Sequence, residues 1–208
     1  MKTLVVHYLP SGEKSNTKKL LDIFLAELGG REVEELNLLT HPAPTFNEKN
    51  IQAYAKRNYA GQTLSAAESL LLQHNDDLVT QLKNADILVM AYPMHNFGMP
   101  GPVKCYLDAV IIKGQTFEYG PAGNTPMMKA HKALTLFTAG GIYPSDKVNQ
   151  EYPNWDMLTL GTKINFGFMG YAETEVIGTS LRDPSQAEAK LHEAKGKIQA
   201  IIKKWYTS

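Results

Sequence analysis

The fold is decided by the stretch Asp86-Ile87-Leu88-Val89-Met90-Ala91-Tyr92-Pro93-Met94-His95-Asn96-Phe97-Gly98-Met99-Pro100. Its first half is apolar at consecutive positions, which is typical of a strand covered on both faces of a parallel sheet. Its second half is a loop rich in Pro and Gly that leads into an amphipathic helical pattern. In open α/β sheets, ligands bind beyond the carboxyl ends of the strands. The rings, thioether and amide of this loop suit a flat heteroaromatic ligand better than a phosphate or a metal.

Strand and helix patterns alternate along the whole chain. Because right-handed β-helix-β crossovers make successive strands parallel, this alternation predicts a doubly wound α/β fold. About five strands favour the flavodoxin-like order 2-1-3-4-5, with helices on both faces of the sheet. The predicted strands are 3–8, 32–37, 86–92, 132–138 and 173–178, and the predicted helices are 15–28, 64–83, 103–112, 153–169 and 184–206.

The apolar stripes of two helices predict which side chains face the core. In helix 15–28 the stripe contains Leu20, Leu21, Phe24 and Leu28, and in helix 64–83 it contains Leu64, Leu71, Leu78 and Leu82.

Composition narrows the class of protein. A length of 208 residues predicts a single domain covering 1–208. With 21 basic and 21 acidic residues, the formal net charge is zero, which argues against nucleic acid or an anionic membrane as partner. The single cysteine, Cys105, excludes an intrachain disulfide. Since the sequence shows neither a signal peptide nor a membrane span, we expect a cytoplasmic protein.

Two segments, 41–61 and 114–128, do not fit the repeating pattern and are predicted as long loops. Aromatic residues in both, including Tyr59 and Tyr119, favour a packed lid or a subunit contact over disorder.

The segment Ser11-Gly12-Glu13-Lys14-Ser15-Asn16-Thr17 follows the first strand and opens the first helix. Hydroxyl groups and free backbone N–H groups at a helix N-terminus favour a phosphate. The segment lacks the Gly-Lys-Ser/Thr ending of a Walker loop, and it also lacks the Gly-x-Gly-x-x-Gly pattern of dinucleotide-binding proteins. A simple helix cap at Ser15 is the alternative interpretation.

The fourth strand ends in Thr138-Ala139-Gly140-Gly141. Paired glycines allow the backbone to approach a ligand closely, although a plain tight turn would also use them. Because the loops after strands one, three and four meet at one edge of such a sheet, the residues predict a mononucleotide site, with FMN as the natural ligand.

Several ordered motifs carry a family resemblance, which runs from residue 3 to residue 177. The motifs are Pro93-Met94-His95-Asn96-Phe97, Lys104-x-Tyr106-x-Asp108, Gly114-x-Thr116-Phe117-x-Tyr119-x-x-x-Gly123 and Gly140-Gly141. They resemble the FMN-dependent NADH-azoreductase and NAD(P)H:quinone oxidoreductase family, which has a flavodoxin-like fold. The resemblance implies a homodimer with FMN at the subunit interface. It also implies a ping-pong transfer of two electrons from NADH or NADPH to quinones or azo compounds.

The resemblance also implies site residues by position. The flavin is expected to carry the chemistry without a catalytic side chain, and His95, Phe117 and Tyr119 are expected substrate contacts. The FMN phosphate would be held by Ser11, Ser15, Asn16 and Thr17, and the ring flanked by Pro93, Met94, His95, Asn96, Phe97, Thr138, Ala139, Gly140 and Gly141.

The chain departs from the family pattern in places that leave substrate range and nicotinamide preference open. His95 stands where the family usually has Tyr, and Thr138 where it usually has Ser. After the last strand, the family commonly has an acidic residue followed by Gly, whereas this chain has Gly178-Thr179-Ser180-Leu181-Arg182.

Other residues receive simpler interpretations. The histidines show no metal-ligand spacing, so no metal is predicted. Cys105 is predicted to be a small apolar residue of a helix, and Lys104 with Asp108 a surface ion pair. Three alternatives stay open: an FMN electron carrier without a small-molecule substrate, a reductase of free flavin or nitroaromatics, and a flavin-free interaction protein.

Overall fold

A five-stranded parallel sheet forms the centre of the computed structural model, which describes residues 1–141 and 155–206. Its strands are β1 (Thr3–His7), β2 (Val33–Asn37), β3 (Ile87–Ala91), β6 (Lys132–Thr138) and β7 (Glu173–Thr179), in the order β2-β1-β3-β6-β7. An antiparallel hairpin consists of β4 (Phe117–Gly120) and β5 (Gly123–Pro126).

The five parallel strands of a flavodoxin-like α/β fold were predicted and are confirmed. The predicted order 2-1-3-4-5 is corrected to 2-1-3-6-7, because the hairpin adds two strands between the third and fourth strands of the sheet. The periodicity of 114–128 did not reveal the hairpin, since both strands are only four residues long.

Helices cover both faces of the sheet. On one face, α1 (Asn16–Leu28) and α6 (Pro184–Tyr206) enclose a core that contains Phe24, Ile198 and Trp205. The other face is covered by α2 (Glu48–Tyr54), α3 (Ala66–Lys83), α4 (Gly101–Val110) and α5 (Met157–Met169). The side chains of β1 alternate between the two cores, with Leu4 and Val6 on one side and Val5 on the other. This two-sided burial explains the consecutive apolar residues of the strands.

Several predicted helix boundaries need correction. The helix predicted at 103–112 is α4, which begins at Gly101 because Pro102 is compatible with a first helical turn. The helix predicted at 153–169 is α5, which begins at Met157. The predicted positions 153 and 154 lie outside the described residues.

The segment 41–61 is not a long loop. The Asn47 side chain accepts hydrogen bonds from the N–H groups of Lys49 and Asn50, at 2.9 and 3.2 Å, and starts α2. A π-helical turn, Ala55–Tyr59, follows at once. The helix was missed because its capping box uses Asn50 where Glu or Gln is the usual signal.

The predicted stripe of α3 needs two corrections. The helix begins at Ala66 and not at the predicted residue 64, so Leu64 lies before it, half-buried against the core. Leu71 is 38% exposed, whereas its neighbour Leu72 is 1% exposed and lies in the core with Leu78, Val79 and Leu82. The stripe of α1 is confirmed, since Leu20, Leu21, Phe24 and Leu28 are all buried.

The hairpin lies at the edge of the sheet where the strands begin. It follows the C-terminal end of α4 and precedes β6, and the Phe117 ring packs 4.6 Å from the ring of Phe168 at the end of α5. The Asn124 side chain donates a hydrogen bond of 2.7 Å to the Phe168 carbonyl. The hairpin is therefore fixed at the opposite end of α5 from the loops that follow the strands.

None of the helices within residues 1–141 and 155–206 combines the length and the apolar character that a membrane span requires.

We predict that Gly170→Ala destabilises the protein more than Gly29→Ala does. Both glycines end helices with positive φ, +84° and +66°, so alanine costs about 1 kcal/mol at either position. A Cβ at Gly170 would also lie 2.3 Å from Cβ of Pro126 in the hairpin, whereas at Gly29 the nearest atom is 3.9 Å away. The clash should add at least about 1 kcal/mol. Urea unfolding of both variants measures the difference, and equal losses would contradict the position assigned to the hairpin.

Candidate functional site

The loop after β1 ends at the N-terminus of α1. Ser11 begins a short 3-10 turn, Gly12–Lys14, and its exposed side chain makes no capping hydrogen bond. Ser15 is the N-cap of α1, and its hydroxyl accepts a hydrogen bond from the Lys18 N–H at 3.3 Å. The first N–H groups of a helix lack intrahelical acceptors, so those of Asn16 and Thr17 are available to donate hydrogen bonds to an anion. The cap and the anion site are therefore compatible.

Thr138, the last residue of β6, joins two loops. Its hydroxyl lies 2.7 Å from the Thr17 hydroxyl in a buried hydrogen bond. Its carbonyl accepts a hydrogen bond of 2.8 Å from the Met94 N–H. The next residue, Ala139, donates from its N–H to the Thr179 carbonyl at 3.0 Å. The loops after β1, β3, β6 and β7 are thus bound to one another around Thr138.

The loop after β3 contains a tight turn with unusual backbone angles. His95 and Gly98 exchange two backbone hydrogen bonds of 3.0 and 3.1 Å, and the residues between them, Asn96 and Phe97, have φ of +46° and +68°. Two positive φ values in succession are typical of a type I′ turn. Asn tolerates this conformation, whereas for Phe it costs about 1–2 kcal/mol.

Neighbouring groups hold Phe97 in this strained conformation. Its carbonyl accepts a hydrogen bond of 3.1 Å from the Leu158 N–H at the start of α5. Its ring meets the Trp155 ring edge to face at 4.8 Å between centroids. Strain maintained by its surroundings is frequent at ligand sites. The turn also leaves the side chains of His95, Asn96 and Phe97 exposed at the carboxyl edge of the sheet.

A ring contact joins the β1 and β3 loops. The Tyr8 and His95 rings meet edge to face, 6.0 Å between centroids. Below the loop, Tyr92 is fully buried, and its hydroxyl lies 3.2 Å from the Thr162 hydroxyl. Burial raises the pKa of Tyr92 to about 12. The Tyr92 phenol therefore stays neutral near pH 7 and supports the loop by packing.

Gly140 leaves open space where a flat ligand could approach. Its φ is not in the positive region, and among residues 1–141 and 155–206 a Cβ built on it would have no neighbour within 4 Å. A glycine here leaves room for a ligand to approach the backbone closely.

The structure brings together most, but not all, of the residues predicted for the site. The segments 11–17, 93–97 and 138–141 lie on loops at one edge of the sheet. Phe117 and Tyr119 lie in the hairpin at the opposite edge, where Phe117 is buried and Tyr119 is 53% exposed. Within one chain, they cannot touch a ligand held by the other residues.

Other residues border this edge without having been predicted. Trp155 borders the site through its contact with Phe97, which is distant in sequence. Ser180, Arg182 and Lys190 line a hollow beside Gly140 and Gly141. The one sign of this hollow in the sequence was that residues 178–182 differ from the usual family pattern.

The structure places the remaining residues of interest outside the site. Cys105 is a half-buried free thiol packed against the core, and Lys104 and Asp108 form an ion pair on α4. Within residues 1–141 and 155–206, there is no group of three or more His, Cys, Asp or Glu side chains that could hold a metal ion.

Comparisons with known proteins identify relatives over nearly the full chain. The family model Flavodoxin_2, described as flavodoxin-like fold, matches residues 1–202. An FMN-dependent NADH:quinone oxidoreductase of Haemophilus influenzae (strain PittEE) is 30% identical over 188 residues, which are 90% of this chain and 93% of the relative. FMN-dependent NADH:quinone oxidoreductase 1 of Bacillus anthracis is 26% identical over 196 residues, which are 89% of this chain and 87% of the relative.

Solved structures share the fold. A Bacillus anthracis FMN-dependent NADH-azoreductase in complex with FMN superimposes with a TM-score of 0.83 at 23% identity, over 97% of this chain and 99% of the other. The azoreductase AzrA gives a TM-score of 0.85 at 22% identity, over 99% of this chain and 100% of the other.

We predict that Thr17→Val and Thr138→Val are strongly non-additive. Either change leaves one buried hydroxyl without its partner, at a cost of about 1–3 kcal/mol, whereas the double variant leaves none. The matched control combines Thr138→Val with Thr3→Val. Thr3 is equally buried and bonds Tyr206 at 2.7 Å, but it lies at the opposite edge of the sheet. Urea unfolding should give a coupling of about 2–3 kcal/mol for the first pair and about zero for the control. Additive losses in the first pair would contradict a direct bond between the loops.

Proposed function

Because the chain belongs to the flavodoxin-like fold family Flavodoxin_2, we propose that it is an FMN-dependent oxidoreductase that passes two electrons from NADH or NADPH to a quinone or an azo compound. Two relatives with this cofactor and electron donor in their names align with nearly the whole chain. The observation that carries the proposal is the meeting of the β1, β3 and β6 loops around Thr138 at the carboxyl edge of the sheet.

The residues at this edge fit FMN. Ser11, Ser15 and the first N–H groups of α1 would hold the phosphate, which the positive end of the helix dipole also favours. Asn16 and Thr17 would contribute those N–H groups, because the Thr17 hydroxyl is engaged with Thr138. The ring would lie between the turn at 93–97 and the loop at 138–141, against the open side of Gly140.

When bound, FMN supplies the acceptance of hydride from a nicotinamide and the delivery of two electrons to an acceptor. The residues of the chain would bind the cofactor and orient it toward its substrates. Backbone N–H groups of Gly140 and Gly141 would stabilise negative charge on the ring, as preorganised donors do in other enzymes. Met94 and Phe97 would pack against the ring, with His95 and Asn96 at its exposed side. Donor and acceptor would use this exposed side in turn, which is a ping-pong mechanism.

We also place the protein in a homodimer, and α5 supports this assignment. Met157, Leu160 and Ile164 lie at i, i+3 and i+7 on this helix and are 54%, 43% and 60% exposed, while its other side packs in the core. A helix that is apolar on both sides is typically buried on both sides. The exposed stripe begins beside Trp155 and Phe97, so a partner packed on it would also border the candidate site. A cytoplasmic location is consistent with the free thiol of Cys105.

This dimer would give Tyr119 a role that it cannot have within one chain. The 13 residues of α5 span about 20 Å, with Phe97 near one end and the hairpin at the other. A two-fold axis through the middle of α5 makes the two copies of the helix antiparallel. The partner's Tyr119 would then lie near the site and form an aromatic wall for the acceptor. Phe117 would support that wall from within the hairpin core, where its ring lies 5.4 Å from the Tyr119 ring.

We predict that the FMN-loaded protein, kept anaerobic, loses its flavin absorbance on addition of NADH or NADPH and regains it on addition of benzoquinone. Visible spectroscopy follows both half-reactions. Flavin that neither nicotinamide reduces would support an electron carrier instead. A protein that fails to bind added FMN would contradict the proposed function.

We predict that Ile164→Glu converts the dimer to monomer, because it places a charge on the apolar stripe near the middle of α5, where the proposed two-fold axis passes. Leu70→Glu is the matched control, since Leu70 is 74% exposed on α3, outside the proposed interface. Sedimentation velocity measures the mass of each variant. A monomeric parent protein, or an Ile164→Glu variant that stays dimeric, would place the interface elsewhere or exclude it.

A further inference from the structure

A hollow with a volume of about 520 Å³ lies beyond the carboxyl ends of β6 and β7. Gly140 and Gly141 form its border with the proposed ring site, and Ser180, Arg182 and Lys190 line the remainder with Asp183 and Gln186. The proposed function leaves this hollow without a role. The hollow is shallow and open to solvent, although its volume is in the range of small-molecule sites in proteins.

Three of its polar side chains lack a hydrogen-bond or ion-pair partner within the part of the chain that the structure describes. The Ser180 side chain is 5% exposed and forms no hydrogen bond among residues 1–141 and 155–206. Within the same ranges, Arg182 and Lys190 form no ion pair. Lysines further along the same helix differ, since Lys195 pairs with Glu27 at 2.9 Å and Lys197 with Glu193 at 2.6 Å.

The carboxylate of Asp183 does not neutralise both cations. One of its oxygens accepts hydrogen bonds from the N–H and the hydroxyl of Ser185, at 3.0 and 2.7 Å, and so caps the start of α6. These hydrogen bonds lower the pKa of Asp183, and the charge of Lys190 lowers it further. One carboxylate against two cations leaves a net positive charge, and the N-terminal end of α6 adds to it. A buried hydroxyl donor and two cations are suited to an anion.

The position of the hollow indicates which anion it would take. The proposed FMN phosphate site follows β1, whereas the hollow follows β6 and β7. Three strand spacings separate β1 from β7 in the sheet, a distance of about 14 Å. A negative group in the hollow would therefore belong to a second molecule that lies against the ring. Among the proposed substrates, reduced nicotinamide dinucleotides carry phosphate groups, whereas simple quinones do not.

We propose that this hollow binds a phosphate group of the reduced nicotinamide dinucleotide while its nicotinamide lies against the flavin. The inference rests on the proposed function and names the residues that select the electron donor. The planar Arg182 guanidinium would donate two parallel hydrogen bonds to phosphate oxygens. Lys190 would add a point charge, and Ser180 a hydroxyl donor. The phosphate is either the 2′-phosphate of NADPH or the pyrophosphate that NADH and NADPH share.

Calorimetric titration of the FMN-loaded protein tests the hollow without turnover. The probes are adenosine 2′,5′-bisphosphate, adenosine 5′-diphosphate and uncharged adenosine. Arg182→Gln and Lys190→Gln should each weaken binding of a phosphate-bearing probe about tenfold and leave adenosine unchanged. Lys129→Gln is the matched control, because it removes one exposed positive charge at the other edge of the sheet. In turnover with benzoquinone, Arg182→Gln should raise the KM of the nicotinamide about tenfold with little change in kcat or in the KM of the quinone.

The probes distinguish the two phosphate sources. If the variants lose affinity only for the bisphosphate and NADPH, the bound group is the 2′-phosphate. If they lose affinity equally for all phosphate-bearing probes, the bound group is the pyrophosphate. Unchanged affinities in both variants would overturn the inference, as would a loss of FMN affinity in place of nucleotide affinity. If either of these results is found and NADH and NADPH still reduce the flavin normally, the proposed function is retained without the hollow. Probe binding that depends on Arg182, in a protein whose flavin neither nicotinamide reduces, would contradict that function while supporting a phosphate site in the hollow.

Discussion

All five strands of the central sheet run in the same direction, and the position of every candidate ligand group depends on this constraint. Parallel strands buried on both faces must end at one edge, so the loops after β1, β3, β6 and β7 meet there whatever their lengths. The constraint alone does not build a site. Thr138 completes it, because its hydroxyl holds the α1 terminus and its carbonyl holds the β3 loop. Two short hydrogen bonds thus fix the separation between the proposed phosphate and ring sites.

The candidate site combines rigid support with local strain and open space. Phe97 keeps an unfavourable φ because α5 binds its carbonyl and Trp155 packs on its ring. Gly140 offers bare backbone on the opposite side, where no described residue lies within 4 Å of a Cβ built at this position. Local strain and an open backbone are both expected where a flat ligand lies between two loops. The same edge carries groups suited to an anion at both ends, with helix N–H groups near β1 and the cations Arg182 and Lys190 beyond β7.

The sequence predicted the parts of the fold that depend on local patterns. Every parallel strand was found to within one residue at each end, because two-sided burial makes these strands continuously apolar. The cap of α1 and the glycines after β6 were read from residue type alone. Local patterns failed where the structure depends on distant contacts. The hairpin is held in place by distant contacts, such as that of Phe117 with Phe168, and Tyr119 consequently lies at the wrong edge for a site within one chain. The hydroxyl pair joins residues 121 positions apart, and no spacing rule predicts it.

A crystal structure of the protein grown with FMN would locate the cofactor directly. We expect the phosphate at the N-terminus of α1, within hydrogen-bond distance of Ser15 and the Asn16 N–H, and the ring between residues 93–97 and 138–141. We also expect an intact Thr17–Thr138 hydrogen bond beside the cofactor. A flavin bound at any other edge or face of the sheet, or one whose ring makes no contact with Gly140, would contradict the proposed site.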